Sequence, residues 1–242
     1  MWDDLDDALS RDQAGGDSGQ HCTVKARYVP SASPHARQRM QEQVYYLEKR
    51  DRADAEDEER ELFTATDTGT TRAETRTLLW DNRSARSVLF HRVILSPSTG
   101  LGITTTEDAR AWARIVMEEL GRHLDRDLTW VAAVHGNTGR THVHVLIAGE
   151  AAQPSKGGAR RVVRLSKTDL ATIRERIAIK AARPIVEARR ARDLDAARER
   201  QAARMEDLDR RLGVPLEAAR PMETNTPAPR AAPKRRWWQR GA

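Results

Sequence analysis

The sequence predicts an α+β fold, and three observations carry that reading. Trp130–Val134 and Val143–Ala148 are apolar runs joined by the short, turn-rich stretch 135–142, the pattern of an antiparallel hairpin. Two more β-branched runs, Cys22–Val29 and Val88–Leu95, stop at Pro30 and at Ser96 and Pro97. Trp112, Ile115, Val116 and Leu120 recur at helical spacing, and a long Ala/Arg/Glu-rich segment follows Ser166.

Each element has its own local reason. Residues 1–20 mix Asp, Gly, Gln and Ser and read as a flexible arm. After the Cys22–Val29 strand, Pro34 opens a helix expected from Ala36 to about Arg52. Residues 53–87 are acidic and then Thr-rich, and are expected as loop with a short strand at Glu61–Thr64. Thr105 or Thr106 can cap the next helix, with Glu107 or Asp108 in its first turn; Trp112 faces the core and Gly121 is expected to end the helix. Beyond Gly149 a Gly/Pro/Lys loop leads to a short strand within Arg160–Leu165. Ser166 and Asp169 form a capping pair for a helix to about Leu212, with a break or kink expected at Pro184 and stop signals at Gly213 and Pro215. Residues 214–242 are Pro-rich and basic, end in Lys234–Arg240 with Trp237 and Trp238, and read as a disordered tail. The expected organisation is an arm at 1–20, one domain at 21–165, a helical extension at 166–213 and the tail at 214–242.

Composition narrows the function classes. In 242 residues, charged side chains make up 32% and aromatics 5%, so the apolar core cannot fill the whole length. The net charge is +6 and arginine dominates the cations, which suits bidentate contact with phosphate and makes nucleic acid the first partner to consider. No run of about 18 apolar residues exists to span a membrane. The acidic start at Trp2–Asp7 does not read as a signal peptide, and the single Cys22 excludes an internal disulfide; a cytoplasmic location is expected.

Three of the seven histidines fall between positions 135 and 144. Strands alternate faces with period two, so His142 and His144 point the same way, and a hairpin can return the chain to set His135 beside them. Three neutral imidazoles on one face would make a site for a divalent metal with open positions. In a basic protein such a site raises the question of what attacks a phosphodiester: metal-activated water, or a side-chain oxygen. The chain has three tyrosines, Tyr28, Tyr45 and Tyr46, all in the N-terminal strand and helix.

The segment VHGNTGRTHVHVLIAG resembles the three-histidine motif of the plasmid mobilization relaxases, members of the HUH endonucleases. FHRVILSPSTG is similar to the strand and Ser-Pro segment that precedes a helix in one relaxase group, and VKARYVP…QVYYLEKRD is similar to the opening strand and tyrosine-bearing helix of that group. The three occur in the family's order across roughly residues 22–150. Asn137 stands where many relaxases carry an acidic residue, and Gln43 where a histidine is common.

The resemblance implies a central antiparallel sheet flanked by helices, with a metal-assisted, strand-specific cut in single-stranded DNA at a transfer origin. It implies that His135, His142 and His144 bind Mg²⁺ or Mn²⁺. It places the nucleophile at Tyr46, with Tyr45 next and Tyr28 last, through a 5′-phosphotyrosine intermediate. Ser96 matches a serine that approaches the DNA backbone. Arg27, Arg50, Arg140, Lys156, Arg160 and Arg161 flank the site in sequence and are candidate phosphate contacts. Accessory relaxosome proteins are implied partners. The runners-up are a rolling-circle replication initiator or transposase of the same superfamily, and a DNA-binding accessory protein of weak catalytic power.

Overall fold

Four of the apolar runs pair side by side in a computed structural model of the chain, which describes residues 19–49, 60–136, 141–154 and 160–212. They are β1 (Cys22–Pro30), β2 (Val88–Pro97), β3 (Trp130–His135) and β4 (His142–Ala148), in the order β1-β2-β4-β3. Every neighbouring pair is antiparallel. Phe63 exchanges backbone hydrogen bonds with Ala132 (2.9 and 2.8 Å) and adds a single bridge on the outer side of β3, where the Glu61–Thr64 strand was expected. All ten residues of β2 are buried, which is why this central strand reads as one apolar run rather than as an alternation.

Helices close both faces of the sheet. On one face α1 (Ala36–Glu48) and α2 (Arg72–Asp81) pack Met40, Val44, Leu47 and Leu79 against Phe90, Val131, Ala133 and Leu146. On the other, α3 (Thr106–Leu124) sets Trp112, Val116 and Leu120 among Val93, Leu95, Val143, Val145 and Ile147. This second core also takes in α4 (Lys167–Thr172), the π-helical turn Ile173–Ile177 and the start of α5 (Ala178–Leu212), and the Trp112 indole N–H donates to the Ala178 carbonyl at 2.9 Å. A smaller two-stranded sheet joins β5 (Glu150–Pro154) to β6 (Arg160–Val162). Cys22 lies inside the second core, where burial pushes its thiol up to about 12 and leaves it inert.

Several expectations change. Helix α2 lies inside the stretch 53–87 expected as loop; Thr71 accepts from the Glu74 N–H while the Glu74 carboxylate accepts from the Thr71 N–H, a complete capping box. β5 falls in the segment read as loop after Gly149, and β6 stops at Val162 rather than Leu165. α1 ends at Glu48, short of Arg52, because Lys49 turns extended. α3 runs through Gly121 to Leu124 and ends on Asp125 in the left-handed region (φ 51°). Gly121 is required for packing instead: a Cβ there would meet the Arg126 carbonyl oxygen at 2.8 Å. The helix after Ser166 departs from α geometry at Ile173–Ile177, and α5 continues through Pro184 without a break. Thr105 does cap α3, and Ser166 with Asp169 forms the expected box.

The chain divides into two compact units, residues 1–191 and 192–242. In the second, the described residues are helical to Leu212, with ion pairs such as Arg211 to Asp207 at 3.0 Å. The expected disordered tail at 214–242, and the arm at 1–20 apart from its last two residues, lie outside the described residues. No described helix is long and apolar enough to cross a membrane.

Gly149 packs directly against the sheet: its N–H donates to the Leu89 carbonyl at 3.0 Å, and a Cβ would sit 1.8 Å from the Val88 oxygen. Gly149→Ala must therefore displace backbone, and a loss of about 3 kcal/mol is expected in denaturant titration; a variant of unchanged midpoint would contradict this packing. His91 is buried and its Nε2 donates to the Val163 carbonyl at 2.9 Å; burial holds its pKa below the ordinary value. As pH falls through about 6.5 the unfolded chain gains a proton here before the folded one does, so His91 lowers stability on acidification. Thermal melts between pH 7.5 and 5.5 should show a shallower fall in Tm for His91→Gln than for the wild type. Parallel curves would remove His91 from the pH response.

Candidate active site

The hairpin register determines where the histidines go. His135 lies directly opposite His142, and Ala133 opposite His144, so all three imidazoles leave the sheet on one face. All are at most 3% exposed. Ring centroids are 4.2 Å apart for His135 and His144, 5.0 Å for His142 and His144, and 5.5 Å for His135 and His142. One ring nitrogen from each lies within 4.8 Å of the other two.

Helix α1 lies over this face. Its apolar stripe, Ala36, Met40, Val44 and Leu47, points at the sheet. The helix ends one residue after Leu47, whose carbonyl accepts a hydrogen bond from His135 Nε2 at 3.1 Å. A carbonyl only accepts, so Nε2 carries the proton and Nδ1 is the ring nitrogen that can act as a ligand. One of the helix's terminal carbonyls thus orients a member of the triad.

The helical step of about 100° separates the two adjacent tyrosines. Tyr46 turns inward, with its ring centroid 5.8 Å from His144 and 6.2 Å from His135. Tyr45 is 45% exposed, with the Arg72 guanidinium 5.7 Å from its ring centre. Tyr28 pairs with His91 across β1 and β2, which turns it to the opposite face of the sheet from the histidines, and it is 62% exposed.

Other expected residues scatter. Ser96 is buried at the end of β2, two residues past Ile94, the partner of His144, and so on the histidine face. Arg27 shares that face at the exposed edge strand β1. Arg161 pairs with Asp125 at 2.9 Å, at the C-terminal end of α3, which packs on the other side of the sheet. Arg50, Arg140 and Lys156 lie outside the described residues, as does the side chain of Arg160. Sequence reasoning passed over Arg92, which is 4% exposed on the histidine face, with its guanidinium carbon 4.9 Å from the Tyr46 ring centre and Nη2 3.5 Å from His144 Nδ1. The signal was present, since Arg92 stands between Phe90 and Ile94 on that face of the strand.

A family model for relaxases, the MobA/VirD2-like nuclease domain, matches residues 45–177, more than half of the chain, including Tyr46, Arg92 and the three histidines. The chain belongs to that family. Tyr46, Ser96 and the histidine hairpin of this relaxase all lie inside the match. A solved structure concerned with the molecular basis of vancomycin resistance transfer in Staphylococcus aureus resembles the chain with a TM-score of 0.41 and 12% identity, over 71% of this chain and 94% of that one. No curated protein matches.

The donors of this relaxase fit a divalent ion: three buried imidazoles, with no thiolate or carboxylate in the group among the described residues. Calorimetric titration of metal-free protein with Mn²⁺ should give one site per chain, weakened more than about 100-fold in His142→Ala. Equal uptake by both proteins would show that the imidazoles do not share an ion.

Proposed function

We propose that this relaxase nicks single-stranded DNA through Tyr46, at a transfer origin used for plasmid mobilization or conjugation. The observation that carries the reading is the placement of Tyr46. Of the three tyrosines it alone lies over the histidine face, within 6.2 Å of two of the imidazoles. In the reaction, Tyr46 Oη bonds to the scissile phosphorus and gives up its proton. The bond from phosphorus to the 3′ oxygen breaks, and that oxygen takes a proton to leave as a 3′-hydroxyl. The 5′ end stays on the enzyme as a phosphotyrosine, a linkage that retains the energy needed for later religation.

His135, His142 and His144 would hold the divalent metal, Mg²⁺ or Mn²⁺, which supplies Lewis-acid polarisation of the phosphate. The chain itself supplies alignment. Helix α1 carries Tyr46 on a rigid element, Leu47 one residue on fixes the His135 ring, and the buried face excludes water. Ser96 and Arg27 lie on the same face, where a DNA backbone would pass. The net charge of +6 favours association with a polyanion. Location in the cytoplasm and assembly with relaxosome proteins follow from the same reading.

The test uses single-stranded oligonucleotides spanning the DNA around the protein's own gene, with Mn²⁺. Protein shifted upward on a denaturing gel, and a nucleotide adduct mapped to Tyr46 by mass spectrometry, are expected. Tyr46→Phe should abolish the adduct and Tyr45→Phe should leave its rate within about threefold, since the Tyr45 ring faces outward. An adduct on Tyr45, or one that survives Tyr46→Phe, would overturn the assignment. Tight DNA binding with no adduct would favour the accessory protein.

A further inference from the structure

The histidine face holds a cation for which the described residues provide no anion. Arg92 is 4% exposed, and its contacts are the Tyr46 ring and a 3.5 Å approach of Nη2 to His144 Nδ1. Its Nη1 is buried with no hydrogen-bond partner among the described residues, and no described carboxylate pairs with the side chain. A buried guanidinium without a counter-charge is costly and persists where something else repays the cost. Directly opposite Arg92 across β1 and β2 stands Arg27, with the side chains of such partners about 5 Å apart at Cβ. Two residues along β1 on the same face is Lys25, paired with Ile94, itself the partner of His144. Like charges facing each other across strands destabilise the pairing unless an anion lies between them.

We propose that Arg92 is a catalytic residue that binds the scissile phosphate, with Arg27 and Lys25 holding the phosphates that flank it. The inference rests on the nuclease reading above for the identity of the anion. The guanidinium lies against both the Tyr46 ring and His144, so a phosphate reached by Tyr46 comes within range of Nη1. Negative charge grows on the non-bridging oxygens as the phosphorus becomes five-coordinate, and a fixed fork of N–H donors in a water-poor site stabilises that charge more than the ground state. Lysine would supply the charge without the fork.

Two measurements on the full chain decide the matter, with R92Q and R92K as the variants. In EDTA, inorganic phosphate at ionic strength matched with chloride should raise the Tm of the wild type by about 3 °C, and R92Q should show no such rise. R92Q in chloride should melt no lower than the wild type, because removing an unpaired buried charge relieves a cost; a large loss in both R92Q and R92K would assign Arg92 to structure and overturn the proposal. The rate of Tyr46 adduct formation should fall about 100-fold in R92Q and less in R92K. R92K, which keeps charge and bulk, carries the comparison if glutamine is not accommodated. Equal phosphate stabilisation of the wild type and the variants, or equal adduct rates, would overturn the role of Arg92. A wild type that forms no adduct on Tyr46 would sink the nuclease reading instead, and the phosphate comparison would then judge Arg92 alone.

Discussion

The antiparallel register of β3 and β4 is the constraint on which the rest of the molecule depends. With His135 opposite His142, the residues at even spacing on one face are the imidazoles, and those on the other are Trp130, Ala132, Val143, Val145 and Ile147. A slip of one residue would bury the histidines under α3 and turn the valines toward α1. Such a slip is prevented on the apolar side. Trp112, Val116 and Leu120 close over those valines, so burial of a core on one face holds the chemistry on the other.

The histidine face is expensive by the same logic. Three imidazoles, Arg92, Ser96 and Gln43 are buried there, where apolar side chains would pack at lower cost. The relaxase carries this load because its other core is almost wholly apolar. The use made of the α1 terminus is consistent with that division. A helix must end with carbonyls that lack helical partners, and the Leu47 carbonyl is taken by His135. A structural necessity of the helix becomes the means of setting one tautomer in the site.

Local chemistry was legible wherever it repeated within a few residues. The hairpin, the strands at Cys22 and Val88, the Thr105 cap and the Ser166–Asp169 box follow from spacing of two, three or four positions, and all are present. The box at Thr71 and Glu74 was equally explicit, but the polar stretch around it hides the thin apolar stripe of α2, in which only Thr75 and Leu79 are buried. Gly121 misled because a glycine that permits close approach and one that ends a helix look alike until the neighbouring backbone is placed.

From the amino-acid order alone came the α+β class, the period-two placement of His142 and His144, and a short list of tyrosines that a nuclease could use. Those depend on backbone periodicity, which is local. Tertiary structure decided what required two distant segments to meet: that α1 covers the histidine face, that its twist turns Tyr46 rather than Tyr45 inward, and that Tyr28 belongs to the other side. It also decided that Arg92, more than forty residues from either partner in the chain, stands beside both tyrosine and histidine. Sequence carries no direct record of such approaches, because the packing that creates them is a property of surfaces formed only after the strands have paired.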